Sequence, residues 1–207
     1  MRLSAQRFNR HLEKIGQKVR WRKSFACPCV NPHSGGADMN CPQCHGHGRS
    51  WDAPIDGVVG VAGARVQQAW AKFGQYEDGD VVLTVPSSSP VYAIGEYDRI
   101  LLLDNSAPFT EVLTRGQDRL RGEITHIERV FWLDGGDIVE ASAPSVAADG
   151  SLSWSGPAPP MQEQYSVRGS RAPEYYHFKN PFQDRQHHQG VDLPRRVVVR
   201  TFDLYGR

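Results

Sequence analysis

Four cysteines fall within eighteen positions of this 207-residue chain, as Cys27-Pro28-Cys29 and, after an eleven-residue loop (30–40), as Cys41-Pro42-Gln43-Cys44. Thiolates two or three residues apart on a tight turn can grip one ion from the same knuckle, and a loop of this length brings the second knuckle opposite the first. Four sulfurs around Zn²⁺ make a closed tetrahedron, the arrangement of a structural site. Cys27-x-Cys29 is one residue tighter than the usual C-x₂-C, and His33, His45 and His47 are near enough to replace a cysteine. Gly46 and Gly48 let the backbone turn back after Cys44. A closed site has no open coordination position and activates no water. Its expected contribution is folding energy, roughly 10 kcal/mol or more of apparent binding free energy for a small module.

Other chemistries share parts of the pattern. Cys41-Pro-Gln-Cys44-His45 matches the C-x-x-C-H of c-type haem attachment. Haem attachment requires export and leaves the upstream cysteine pair idle. Cys41 to Gly48 fits C-x-x-C-x-G-x-G and so resembles one repeat of the zinc region of DnaJ-type chaperones, over eight residues. A redox C-x-x-C lacks the strand–helix context of thioredoxins.

The elements that must carry the knuckle lie on either side. Over 4–20 the spacing predicts an amphipathic helix, with Ser4 as N-cap and Phe8, Leu12, Ile15 and Val19 on one face. Its apolar stripe must dock on the chain's own core or on a partner. Residues 1–23 carry Arg2, Arg7, Arg10, Lys14, Lys18, Arg20, Arg22 and Lys23 against Glu13 alone, net +7, leaving −6 to the rest. Such a basic end can face nucleic acid or the acidic surface of another copy.

Beyond the knuckle the period changes to two. Segments 80–85, 99–103, 123–133, 137–143, 164–167, 174–178 and 196–204 read as strands, punctuated by Gly-rich turns. With 20 glycines and 14 prolines, about one residue in six, the expected fold is mainly β, a small barrel or sandwich with an N-terminal helix and an inserted zinc knuckle. The expected organisation is a basic helix over 1–23, a knuckle over 24–52 and a β-rich body over 53–207. Two arms are expected, a protruding mobile hairpin over 142–160 and an extended segment over 172–194.

No catalytic set assembles. The chain has no G-x-S-x-G, P-loop or G-x-G-x-x-G. His126, His177, His187 and His188 read as surface or arm residues, Asp134-Gly-Gly-Asp137 as a hairpin turn, and Ser87-Ser88-Ser89-Pro90 as a turn before a strand at Val91. Arg20-Trp21-Arg22 and Tyr175-Tyr176 could stack on bases; the plainer reading has Trp21 fixing the helix end to the knuckle and the tyrosines alternating across a strand. Met1 to Arg10 lacks an apolar stretch and the run 57–64 is too short for a membrane, so the chain is expected where thiols stay reduced.

The whole layout resembles the neck proteins of tailed bacteriophages, the head-completion, stopper or collar components. The phrases that carry it are the basic helix and Cys-Pro-Cys…Cys-x-x-Cys, Gly79-Asp-Val-Val-Leu-Thr-Val-Pro86, Tyr97-Asp98-Arg99-Ile100, Gly122-Glu-Ile-Thr125, Tyr165-Ser166-Val167 and Pro194-Arg-Arg-Val-Val-Val-Arg200. The resemblance implies a β-barrel or sandwich without catalytic residues. It also implies a homo-oligomeric ring of six or twelve copies in the virion, docked between portal and tail proteins, with DNA in the channel. A tail or baseplate component is a close variant. A zinc-ribbon nucleic-acid-binding protein using residues 1–23 is the reading from another class.

Overall fold

The computed structural model describes residues 4–63, 79–179, 187–188 and 190–202. The chain forms two compact units, Met1–Asp104 with Glu174–Arg207, and Asn105–Pro173. The expected single body over 53–207 is therefore corrected: its first part and its last part belong with the N-terminal segment, and the middle stands as its own unit.

In the first unit, helix α1 (Ala5–Ile15) starts at Ser4, whose hydroxyl accepts from the Arg7 N–H at 3.4 Å. It ends at Gly16, four residues earlier than the apolar spacing predicts. Gly16 donates to the Leu12 carbonyl while its own backbone is already extended. A Cβ at Gly16 would lie 2.4 Å from that carbonyl and 2.5 Å from Val58, so only glycine permits the close passage.

The chain then continues as β1 (Gln17–Arg22), β2 (Ser24–Ala26), β3 (Arg49–Trp51), β4 (Ile55–Val61), β5 (Val81–Val85) and β6 (Arg99–Leu102). The second unit supplies β7 (Ala107–Thr114), β8 (Ile124–Asp134), β9 (Asp137–Glu140), β10 (Ser145–Val146), β11 (Leu152–Ser153) and β12 (Gln164–Arg171). The return to the first unit gives β13 (Glu174–Lys179), β14 (His187–His188), β15 (Val191–Asp192) and β16 (Arg195–Thr201).

Six antiparallel strands close a barrel in the order β1-β4-β5-β16-β13-β6, with β6 pairing back to β1. This settles barrel over sandwich for the first unit. Alternate residues point inward, as the period of two demands: Val19 and Trp21, Leu83 and Val85, Ile100 and Leu102, Val197 and Val199 are all buried in one core. Val91 and Ile94 join them from a short 3-10 turn (Pro90–Ala93), where a strand was expected. Of the α1 stripe, Leu12 alone is buried, packed over Gly60 of β4.

The second unit is a four-stranded antiparallel sheet, β7-β12-β8-β9. Its core holds Phe109, Leu120, Ile127, Val130, Tyr165 and Val167. The stretch 142–160 is no protruding hairpin, because Val146, Leu152 and Trp154 pack against this core and β10 pairs with β11. Within the expected arm over 172–194, residues 174–179 form a barrel strand and 187–188 pair antiparallel with 191–192, while 180–186 and 189 lie outside the described residues.

Candidate metal centre

The four cysteines converge where the sequence places them. β2 and β3 pair antiparallel, Ser24 opposite Trp51 and Ala26 opposite Arg49. One further bond, from the Cys27 N–H to the Gly48 carbonyl at 2.8 Å, extends this ladder and fixes the two ends of the knuckle. The first turn closes with the Val30 N–H on the Cys27 carbonyl at 3.1 Å. The second closes with the His45 N–H on the Cys41 carbonyl at 2.9 Å and the His47 N–H on the Cys44 carbonyl at 3.0 Å. Between them Asn31 Oδ1 accepts from the N–H groups of His33 and Ser34, folding the loop on itself.

All four sulfurs lie within 4.8 Å of one another. Cys27 Sγ is 3.7 Å from Cys41 Sγ, and Cys29 Sγ is 3.4 Å from Cys44 Sγ. A disulfide holds its sulfurs about 2.05 Å apart, whereas a tetrahedral ion bound at about 2.3 Å spaces them about 3.8 Å. The separations fit shared coordination. Cys27, Cys41 and Cys44 are buried and Cys29 half-buried. The Gly48 N–H donates to Cys44 Sγ at 3.3 Å, a contact that favours a charged sulfur. Gly48 itself has φ of +70°, and a side chain there would press on Val30 and Ala37.

The sulfurs differ electrostatically. Backbone N–H groups of Cys44 and Gln43, aimed at Cys41, draw its thiol below the ordinary range. Burial pushes the Cys29 thiol well up. A cation among them offsets the second effect by stabilising the thiolate.

His33, His45 and His47 are exposed, and none belongs to the four-residue group. His45 takes a positive φ of 49° in the turn. Among the other histidines, His177 is wholly buried with Nδ1 at 2.7 Å from the Gly95 carbonyl oxygen. His187 pairs with Asp192 at 2.6 Å.

The basic set does not share one helix. Arg7, Arg10 and Lys14 are exposed on α1; Lys18, Arg20 and Arg22 alternate on β1 with the buried Val19 and Trp21; Lys23 follows, its ammonium 5.3 Å from the centre of the Trp21 ring. Arg20 pairs with Asp56 at 3.1 Å. Arg2 lies outside the described residues.

What seats the knuckle on the barrel was not read from the sequence. Asp98, buried, accepts from Trp21 Nε1 at 2.8 Å, the Ser24 N–H at 2.7 Å and the Gly95 N–H at 2.8 Å. Trp21 thus fixes the start of β2 from inside the barrel, through a carboxylate. Around it, the Arg49 guanidinium lies 3.8 Å from the centre of the Tyr97 ring, and Arg99 lies between Trp51 and Phe202 while pairing with Glu174 at 2.5 Å. The Trp51 indole donates to the Tyr97 carbonyl at 3.2 Å.

The fold and the site together define a closed six-stranded barrel carrying a four-cysteine cluster able to hold a metal ion. No protein-family model matches the chain, and no curated protein matches its sequence.

Proposed function

We propose that the chain is a virion structural protein, forming a ring of six or twelve copies in the neck between the head or portal and the tail of a tailed phage. In this reading Cys27, Cys29, Cys41 and Cys44 hold Zn²⁺, which closes the knuckle and does no chemistry on a substrate. The protein acts in head–tail joining by docking, not by catalysis.

One observation carries the reading. Large apolar side chains stay exposed on both units, Phe8 and Ile15 on α1 and Val112, Leu133 and Ile138 on the second sheet. Such surfaces are characteristic of contact faces. The layout resemblance to neck proteins supports the same assignment. Sedimentation and electron microscopy of the zinc-loaded full chain test it: a ring of six or twelve copies is expected, and a monomer at every accessible concentration contradicts it.

A specific feature favours a second reading, nucleic-acid binding. Arg7, Arg10 and Lys14 are exposed and enter no ion pair among the described residues. That reading predicts DNA binding by the monomer that weakens steeply with salt.

A further inference from the structure

The two close sulfur contacts of the knuckle both run from one turn to the other. Cys29 Sγ lies 3.4 Å from Cys44 Sγ, and Cys27 Sγ lies 3.7 Å from Cys41 Sγ. Backbone bonds shape each turn, and the Cys27 N–H on the Gly48 carbonyl joins their ends at the base. Cys27, Cys41 and Cys44 are 4%, 8% and 3% exposed, whereas Cys29 is half-buried. One cysteine of the four is therefore open to a small reagent, and its close sulfur contact sits on the opposite turn.

A thiol that coordinates zinc is deprotonated outright, so in a loaded knuckle all four sulfurs are thiolates and access ranks them for oxidation. A peroxide supplies the oxidant. The Cys29 thiolate attacks one peroxide oxygen, the O–O bond breaks and hydroxide leaves, giving a sulfenic acid at Cys29. The Cys44 thiolate then attacks Cys29 Sγ, the S–O bond breaks and a second hydroxide leaves. Two thiolates have given up two electrons, and one hydrogen peroxide has become two hydroxide ions. The sulfurs close from 3.4 Å to about 2.05 Å. The buried pair that remains, Cys27 and Cys41, supplies two ligands where a closed tetrahedron takes four.

We propose that Cys29 and Cys44 form an oxidation site for hydrogen peroxide, whose product disulfide displaces the zinc and takes over closing the knuckle. This rests on the metal reading of the four cysteines. A Cys29–Cys44 cross-link ties the same two turns that shared coordination ties. The knuckle thus has one closure for a reducing compartment and another for an oxidising one. A disulfide within the second turn, Cys41 to Cys44, would also break the ligand set, but it would leave the two turns free of each other.

The test adds hydrogen peroxide to the full zinc-loaded chain, after its zinc content has been measured. Each chain is expected to release its zinc and, against the reduced metal-free chain, to lose the mass of two hydrogens. Iodoacetamide then labels the remaining thiols. After unfolding, trypsin and an endoprotease that cuts before Asp38 separate 24–37 from 38–49. A disulfide between the turns holds these peptides together, with the label on Cys27 and Cys41. Residues 27–48 are expected to resist proteolysis about tenfold longer in the oxidised chain than in the chelated, reduced one. A chain without zinc at the outset overturns the metal reading and this proposal together. A loaded chain that keeps its zinc through excess peroxide overturns this proposal alone. So does one that first links Cys41 to Cys44 or Cys27 to Cys41, or that stops at sulfinic acid on Cys29. An oxidised knuckle cut as fast as the chelated one overturns it as well, and in each of these cases the metal reading stands.

Discussion

Trp21 and Asp98 meet inside the barrel wall, the indole N–H donating to Oδ2 at 2.8 Å, while the other carboxylate oxygen takes the N–H of Ser24 at 2.7 Å. One buried group therefore ties a core aromatic to the first residue of β2, the strand that leads into the cysteines. The knuckle is held at its base by this carboxylate, and its four cysteines cluster at its tip.

Removing the carboxylate leaves three donors without their acceptor in a buried place. D98A is expected to cost about 3 kcal/mol or more. D98N, which keeps one acceptor oxygen, is expected to cost less. Urea unfolding of both variants measures the loss, and hydrogen exchange is expected to rise first over β1 and β2. Equal unfolding midpoints for D98A and wild type would exclude the role.

Metal removal is expected to act locally. The barrel core of Val19, Leu83, Ile100 and Val199 has its own burial and does not include the sulfurs. Chelation, or C44S, is expected to open residues 27–48 to proteolysis while the barrel strands keep their exchange protection. Cleavage of the whole chain at the same rate would show that the barrel depends on the ion as well.

Acid should release the ion. Metal binding requires thiolates, so protons compete with it, and affinity falls as pH falls. Burial holds the proton on a metal-free Cys29, so uptake near neutral pH must displace at least that proton. Calorimetry in buffers of different ionisation enthalpy measures the release. Metal uptake without proton release would contradict the cluster's thiol assignment.

The second unit depends on a polar anchor under an aromatic pair. The Tyr165 hydroxyl donates to Asp118 Oδ2, and its ring meets Trp154 edge-on at 5.6 Å between centres. Burial first, then the hydrogen bond to Asp118, raises the Tyr165 pKa, so the phenol keeps its proton and stays a donor through the physiological range. Y165F is expected to cost about 1–2 kcal/mol, and W154A about 3 kcal/mol. Thermal melts give both numbers. A W154A chain as stable as wild type would return 142–160 to the status of a free arm.

The cysteine cluster was legible because a knuckle is local: Cys27, Cys29, Cys41 and Cys44 report on one another within a few turns. The β-rich class was legible for the same reason, since alternation within a strand needs no partner. The helix end was not. Val19 satisfies both the helical stripe from Phe8 and the alternation of Val19 with Trp21, and what decides between them is the close passage of Gly16 past β4. The division into units was equally hidden, because β13 and β16 rejoin a barrel begun far earlier in the chain, and a period of two does not name the strand it pairs with. Asp98 lies in a Gly95-Glu-Tyr-Asp stretch that reads as a turn, so its buried anchoring work left no mark in composition or spacing.

The most direct test of the metal centre is the zinc-edge X-ray absorption spectrum of the full chain purified from zinc-supplemented cells. Four sulfur neighbours at about 2.3 Å and no lighter atom bound to the ion are expected. A protein without zinc, or an ion with a nitrogen or oxygen neighbour in place of a sulfur, would contradict that expectation.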